Sequence, residues 1–299
     1  MDTWIYFTLL AATMQAVRTA GQKKLSGKLN SMATTGVRYL YALPFAWLYL
    51  WWLLDYRDVI VPQLTNTFLQ YALIACVMQI IGTVCLVAAF RYKNFAVATS
   101  LAKTEALQVA IFGALVFSAP LTGLGWFSIL VGVVGVFLVS KVRFSVYALF
   151  ADKETLTGVG FGLAAGLGLA ITTLLIRESS LSLKSDLMVS AAVTLVFMIT
   201  VQSLVSVAYL ALQDKSQFSL MLRHWRLCLF VGITSVLGSI GWFTGASYQN
   251  AALVKALGQV EFFITLALTY RLFNEKVSAK EYLGMLLILL SVVILLLWA

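Results

Sequence analysis

Charge is scarce in this sequence: Asp, Glu, Lys and Arg make up 11% of 299 residues, against 61% hydrophobic. A soluble globular domain carries about 25% charged residues, so that class is excluded and a membrane class takes its place. Histidine occurs once, at His224, and the three cysteines, Cys76, Cys85 and Cys228, lie in or beside apolar segments at no metal-ligand spacing. No nucleophile motif accompanies them, so the expectation is no enzyme, no cofactor and no metal. Of three prolines only Pro44 falls inside a long apolar run, where it predicts a local kink. The first ten residues contain Asp2 and no basic residue, which argues for a first transmembrane helix over a removed signal.

What is abundant is long apolar sequence. Ten candidate helices fall at roughly 3–21, 32–54, 68–90, 95–117, 123–140, 157–176, 187–212, 227–246, 251–271 and 282–298. Closed barrels are the other spanning solution, but runs such as Leu283 to Leu297 lack their period-two alternation. Residues 156 positions apart match along the whole chain: Leu25/Leu181, Lys28/Lys184, Met32/Met188, Gly82/Gly238, Tyr92/Tyr248, Asn94/Asn250 and Glu105/Glu261. A duplicated unit with an odd number of crossings must lie upside down relative to its copy. The expected fold is therefore an all-α integral membrane protein, ten transmembrane helices as two inverted five-helix repeats over 1–145 and 156–299.

The net charge of +9 does not point to nucleic acid, because the Lys and Arg are scattered among short loops. It reads instead as topology. One side collects Lys23, Lys24, Lys28, Lys141, Arg143, Lys215, Arg223 and Arg226 among others, and the opposite side only Arg57, Arg177 and Lys184. The basic side is expected to be cytoplasmic, in a bacterial inner membrane, with both termini outside. Glycines spaced by four, Gly162 to Gly166 and Gly241 to Gly245, read mainly as close helix packing.

Six ionisable residues fall inside the candidate spans: Arg18, Arg38, Lys103, Glu105, Lys255 and Glu261. Each charge at mid-span costs roughly 2.5 to 3.5 kcal/mol, so six facing lipid would cost on the order of 15 to 20. Arg18, Arg38 and Lys255 lie near span ends, where snorkelling or anchoring is the ordinary reading. Lys103, Glu105 and Glu261 are deeper. Lys103 and Glu105, about 200° apart on a helix, need separate partners. Buried glutamates hold a structural hydrogen bond or, with their carboxyl pKa raised by burial, carry a coupling proton. The candidate substrate-binding residues are Lys103, Gln15, Arg38, Gln79, Gln259 and Trp242, with Glu105 and Glu261 as proton-coupling candidates. Tyr39, Tyr41 and Trp47 are further wall candidates, against the commoner role of aromatics in packing or at lipid.

The stretch Ala251 to Leu297, with Phe273-Asn274-Glu275-Lys276-Val277-Ser278 followed by Gly284 and an aliphatic run, resembles the end of an EamA-type repeat of the drug/metabolite transporter superfamily. The first copy carries Ala119 where Glu275 stands in the second, and Ala106 and Phe262 replace prolines common in that family. The resemblance implies a central cavity surrounded by spans 1 to 4 and 6 to 9, with spans 5 and 10 outside, and substrates among amino acids, other metabolites and drugs. The expected function is a secondary transporter, an exporter of a small polar metabolite or amino acid, working by alternating access. Four basic groups against two acidic ones within the spans lean toward an anionic or zwitterionic substrate. Membrane lipid is an expected partner, nucleic acid is not, and proton coupling is a candidate through Glu105 and Glu261. The competing reading is a non-transporting membrane partner or lipid-handling subunit, in which the charges only hold helices together.

Overall fold

The computed structural model describes residues 2–89, 101–102, 104–118, 121–139, 153–264, 267 and 278–298. The described residues form helices and no strand: α1 (Thr3–Ser26), α2 (Ser31–Leu40), α3 (Leu43–Arg57), α4 (Asn66–Ala89), α5 (Glu105–Val116), α6 (Gly123–Val139), α7 (Lys153–Ser182), α8 (Leu187–Gln213), α9 (Ser216–Arg223), α10 (Trp225–Tyr248), α11 (Ala251–Leu257) and α12 (Ala279–Trp298). Four helices among these residues are long and apolar enough to cross a membrane, within Asn66–Ala89, Leu156–Ser182, Leu187–Gln213 and Trp225–Tyr248. Large apolar side chains such as Leu48, Trp51, Leu115, Leu286 and Leu297 stand exposed along the outside, as a lipid-facing surface requires.

Local chemistry explains the helix ends. Asn30 accepts from the Ala33 N–H to cap α2, Asp186 accepts from Met188 and Val189 to cap α8, and Asn250 accepts from Ala252 to cap α11. Each satisfies donors that the first helical turn leaves without partners. The second expected span is two helices, α2 and α3, parted at Tyr41 and Ala42 just ahead of Pro44, whose ring nitrogen has no proton to donate. The ninth is tightened after α11 by a 3-10 turn, Gly258–Val260, before residues 261–264 resume the helix. The chain also makes α9, an eight-residue helix outside the expected spans.

Three close helix pairs organise the molecule. In the first, α1 runs antiparallel to α10: Gly245 lies against Thr8, Gly241 against Ala11, and Gly21 against Val231. In the second, α4 runs antiparallel to α7, with Gly168 against Met78 and Gly82 against Ala165 and Leu169. In the third, α6 runs antiparallel to α12, with Gly132 against Ser291 and Gly135 against Gly284 and Ile288. A side chain at Gly241 would collide with the Phe7 carbonyl and with Ala11, so glycine there sets how closely the two backbones approach.

Candidate functional site

Between these pairs lies a cavity of about 90 Å³, lined from α1 by Gln15, Arg18 and Gln22, from α2 by Arg38, and from α4 by Gln79 and Thr83. Glu105 of α5, Thr172 and Thr173 of α7, Ser239 and Trp242 of α10, Lys255 of α11, Glu261 and, again from α1, Thr19 add to the polar lining. Among the described residues none of α6 or α12 contributes, and α8 reaches it indirectly, through Gln202 Nε2 donating to Gln79 Oε1 at 2.8 Å.

Seven of the lining groups form one connected network. Lys255 Nζ is 2.7 Å from Glu105 Oε1 and 4.0 Å from the centre of the Trp242 ring, over whose electron-rich face a cation is favoured. Glu105 Oε1 also accepts from the Thr173 hydroxyl at 3.2 Å. Gln15 joins three elements: its Nε2 donates to Glu261 Oε2 at 2.9 Å, and its Oε1 accepts from Trp242 Nε1 at 2.9 Å and from Arg18 Nη2 at 3.3 Å. Arg38 donates to the Thr83 hydroxyl at 2.8 Å and lies over the Tyr39 ring. The bonds Glu105–Lys255, Glu105–Thr173, Gln15–Glu261 and Gln15–Trp242 all tie the first half of the sequence to the second.

Electrostatically the site is unbalanced. Arg18, Arg38 and Lys255 face Glu105 and Glu261, three cations against two carboxylates among the described lining residues. Arg18 is 6% exposed, and its Nε and Nη1 have no hydrogen-bond partner among the described residues. A guanidinium has five donors in a fixed planar fork, and leaving them unused in a buried site is costly unless water or an anion takes them.

Of the residues expected from sequence, Gln15, Arg38, Gln79, Glu105, Trp242 and Glu261 line the cavity together. Gln259 is 6% exposed and borders a smaller adjoining chamber of about 20 Å³ instead. Lys103 lies outside the described residues. Of the wall candidates, Trp47 is half exposed on the outside and Tyr39 is buried beside Arg38. The expectation that Arg18, Arg38 and Lys255 sit at span ends and snorkel is corrected: all three line the cavity, and Lys255 carries its central ion pair. A signal for Arg18 existed in its three-residue spacing from Gln15, which puts both on one helix face. For Lys255 the signal was Asn250, a capping residue that starts the helix within the protein.

This all-helical architecture around a charged internal cavity is that of a membrane transporter. A sequence model of the EamA-like transporter family matches residues 2–141 and again 156–297, and the chain belongs to that family, within the drug/metabolite transporter superfamily. A solved structure described as "Crystal structure of protein" is 13% identical and superposes with a TM-score of 0.73, covering 99% of this chain and 97% of its own. That similarity is one of fold. Comparison with curated proteins finds no match.

Proposed function

We propose that this chain is a secondary transporter that exports a small anionic or zwitterionic metabolite, an amino acid among the candidates, by rocking two inverted five-helix repeats, 1–145 and 156–299, around the cavity. The observation that carries the reading is the charge arrangement: two buried arginines beside a cavity where cations outnumber carboxylates, with guanidinium donors of Arg18 left for an occupant. A carboxylate or phosphate oxygen satisfies such donors bidentately. The small volume, about 90 Å³, favours a compact ligand. Inversion is supported by α6 and α12, the last helix of each half, which run antiparallel to each other. It is supported again by the pairs α1 with α10 and α4 with α7, which a shift of 156 residues exchanges.

In this reading Arg18 and Arg38 take the substrate anion, Gln15 and Gln79 hold neutral polar groups, and Glu105 and Glu261 carry the coupling proton. The bonds that cross between halves at the cavity, Glu105–Lys255, Glu105–Thr173, Gln15–Glu261, Gln15–Trp242 and Gln202–Gln79 among them, break and re-form in each cycle, so the site itself reports occupancy to the moving bodies. The membrane is a bacterial cytoplasmic membrane with both termini outside, an orientation supported by the asymmetry of Lys and Arg. The test is flux in proteoliposomes from a panel of labelled carboxylates, amino acids and phosphate esters, with and without an imposed pH gradient. Saturable flux of at least one compound, lost in Arg18→Gln, supports the reading. A folded protein that moves none of them favours the non-transporting alternative.

A further inference from the structure

Behind the ion pair lies the second chamber, about 20 Å³, bordered by Gln15, Glu105, Trp242, Lys255, Gln259 and Glu261. Both proposed coupling carboxylates therefore reach it, one from each half of the sequence. Gln259 borders it from the 3-10 turn Gly258–Val260, and its amide oxygen and the Ser291 hydroxyl crowd the same bare face of Gly132. Its Nε2 and Oε1 are both buried without a hydrogen-bond partner among the described residues. Buried polar atoms in native proteins are paired, and bound water is the usual partner where protein supplies none. A water needs about 10–15 Å³ and two to four polar neighbours, so this chamber has room for one.

We propose that the chamber binds a water that passes a proton between Glu261 and Glu105, with Gln259 as its positioning residue. The inference rests on the transporter reading for its purpose, though not for its test. The Gln259 Nε2 donates to the water oxygen and leaves its two hydrogens for the carboxylates. When Glu261 is protonated, its proton moves to the water, and the water gives one of its own hydrogens to Glu105. Glu261 becomes a carboxylate, Glu105 a neutral acid, and the water is regenerated. Neutral Glu105 releases the Lys255 ammonium over the Trp242 face, where an anion in the cavity can hold it. The titratable groups facing the two glutamates among the described residues are Lys255, Arg18 and Arg38, with Tyr39 behind the arginines.

Gln259→Met tests this in the purified full-length protein. Methionine keeps the shape and removes both polar atoms. With a bound water, its loss lowers the melting temperature by about 2–4 °C; in a dry chamber, removing two unsatisfied groups leaves the temperature unchanged or raises it, which overturns the proposal. If the variant does not fold, high-resolution cryo-EM of the wild-type protein decides. Density for a water within hydrogen-bond reach of Gln259 Nε2 and a glutamate supports the inference, and an empty chamber ends it. Neither measurement needs a transported compound, so they stand apart from the flux panel. Where the panel yields a substrate, proton movement read by an entrapped pH dye should fall at least tenfold in Gln259→Met while flux down the substrate gradient persists. Equal loss of both, or unchanged proton coupling, overturns the route.

Discussion

Lys255 shows what depth means in this protein. Four residues into its helix, it reads from sequence as lying near a membrane surface, yet α11 begins inside the molecule: Ala251, Ala252, Leu253 and Val254 are all buried. The ammonium therefore cannot snorkel and takes Glu105 as its partner. Such a pair adds little over an apolar one, because desolvating both charges offsets their attraction, but removing one member strands the other. Lys255→Met alone should lower stability by about 3–5 kcal/mol, and Lys255→Met with Glu105→Gln should recover most of it. Thermal unfolding of both variants is the check, and a single variant as stable as the double one would remove the pair from the account. Arg18 was misread for a related reason: the span was expected to end at 21, but α1 continues to Ser26 and carries Arg18 inward. In its role as anion holder, Arg18→Gln should reduce kcat/KM for any transported anion at least tenfold, about 1.4 kcal/mol of binding to the transition state. Arg18→Lys should not restore it, since an ammonium lacks the planar fork. Flux assays at matched protein levels read both.

At the scale of elements, apolar run length located helices, four of them long and apolar enough to cross a membrane among the described residues, because lipid selects for such runs directly. Interruptions within spans were legible only where a residue type announces them. Pro44 announced the break between α2 and α3, while nothing in Gly258-Gln259-Val260 distinguishes a 3-10 turn from a helix that contains a glycine. α9 escaped for want of length: eight residues with Ser216, Gln217 and Arg223 make an amphipathic turn or two, well short of a crossing. The glycines separate by surroundings in a way that spacing alone does not show. At Gly241 an added Cβ meets the Ala11 Cβ and backbone nitrogen at 2.8 Å, whereas at Gly160 nothing among the described residues lies within 4 Å. Gly241→Val should destabilise the α1–α10 pair by about 1–3 kcal/mol. Gly160→Ala should be neutral or stabilise by up to about 1 kcal/mol, through helix propensity. Melting curves of the two variants side by side test whether packing, not flexibility, is what Gly241 provides.

For the whole molecule, the 156-residue repeat was the most legible feature of the sequence, because a duplicated fold keeps packing positions such as Gly82/Gly238. The cavity was legible in part, since polar residues deep in apolar runs are few and must meet one another; which of them met depended on helix ends that composition does not mark. Inversion makes a prediction that neither half can satisfy by itself: residues 156 apart must emerge on opposite sides of the membrane. Lys28 and Lys184 are such a pair, both exposed, each just beyond the end of a corresponding helix, α1 and α7. Cys76 and Cys228 are buried, so with Cys85→Ser the background should react little with a membrane-impermeant maleimide. In intact cells Lys184→Cys should label, and Lys28→Cys should label only after the membrane is opened. The reverse order would keep the inverted halves and turn the protein over in the membrane. Labelling of both from one side would place the two halves in the same orientation, and rocking around a shared cavity would then lose its geometric basis.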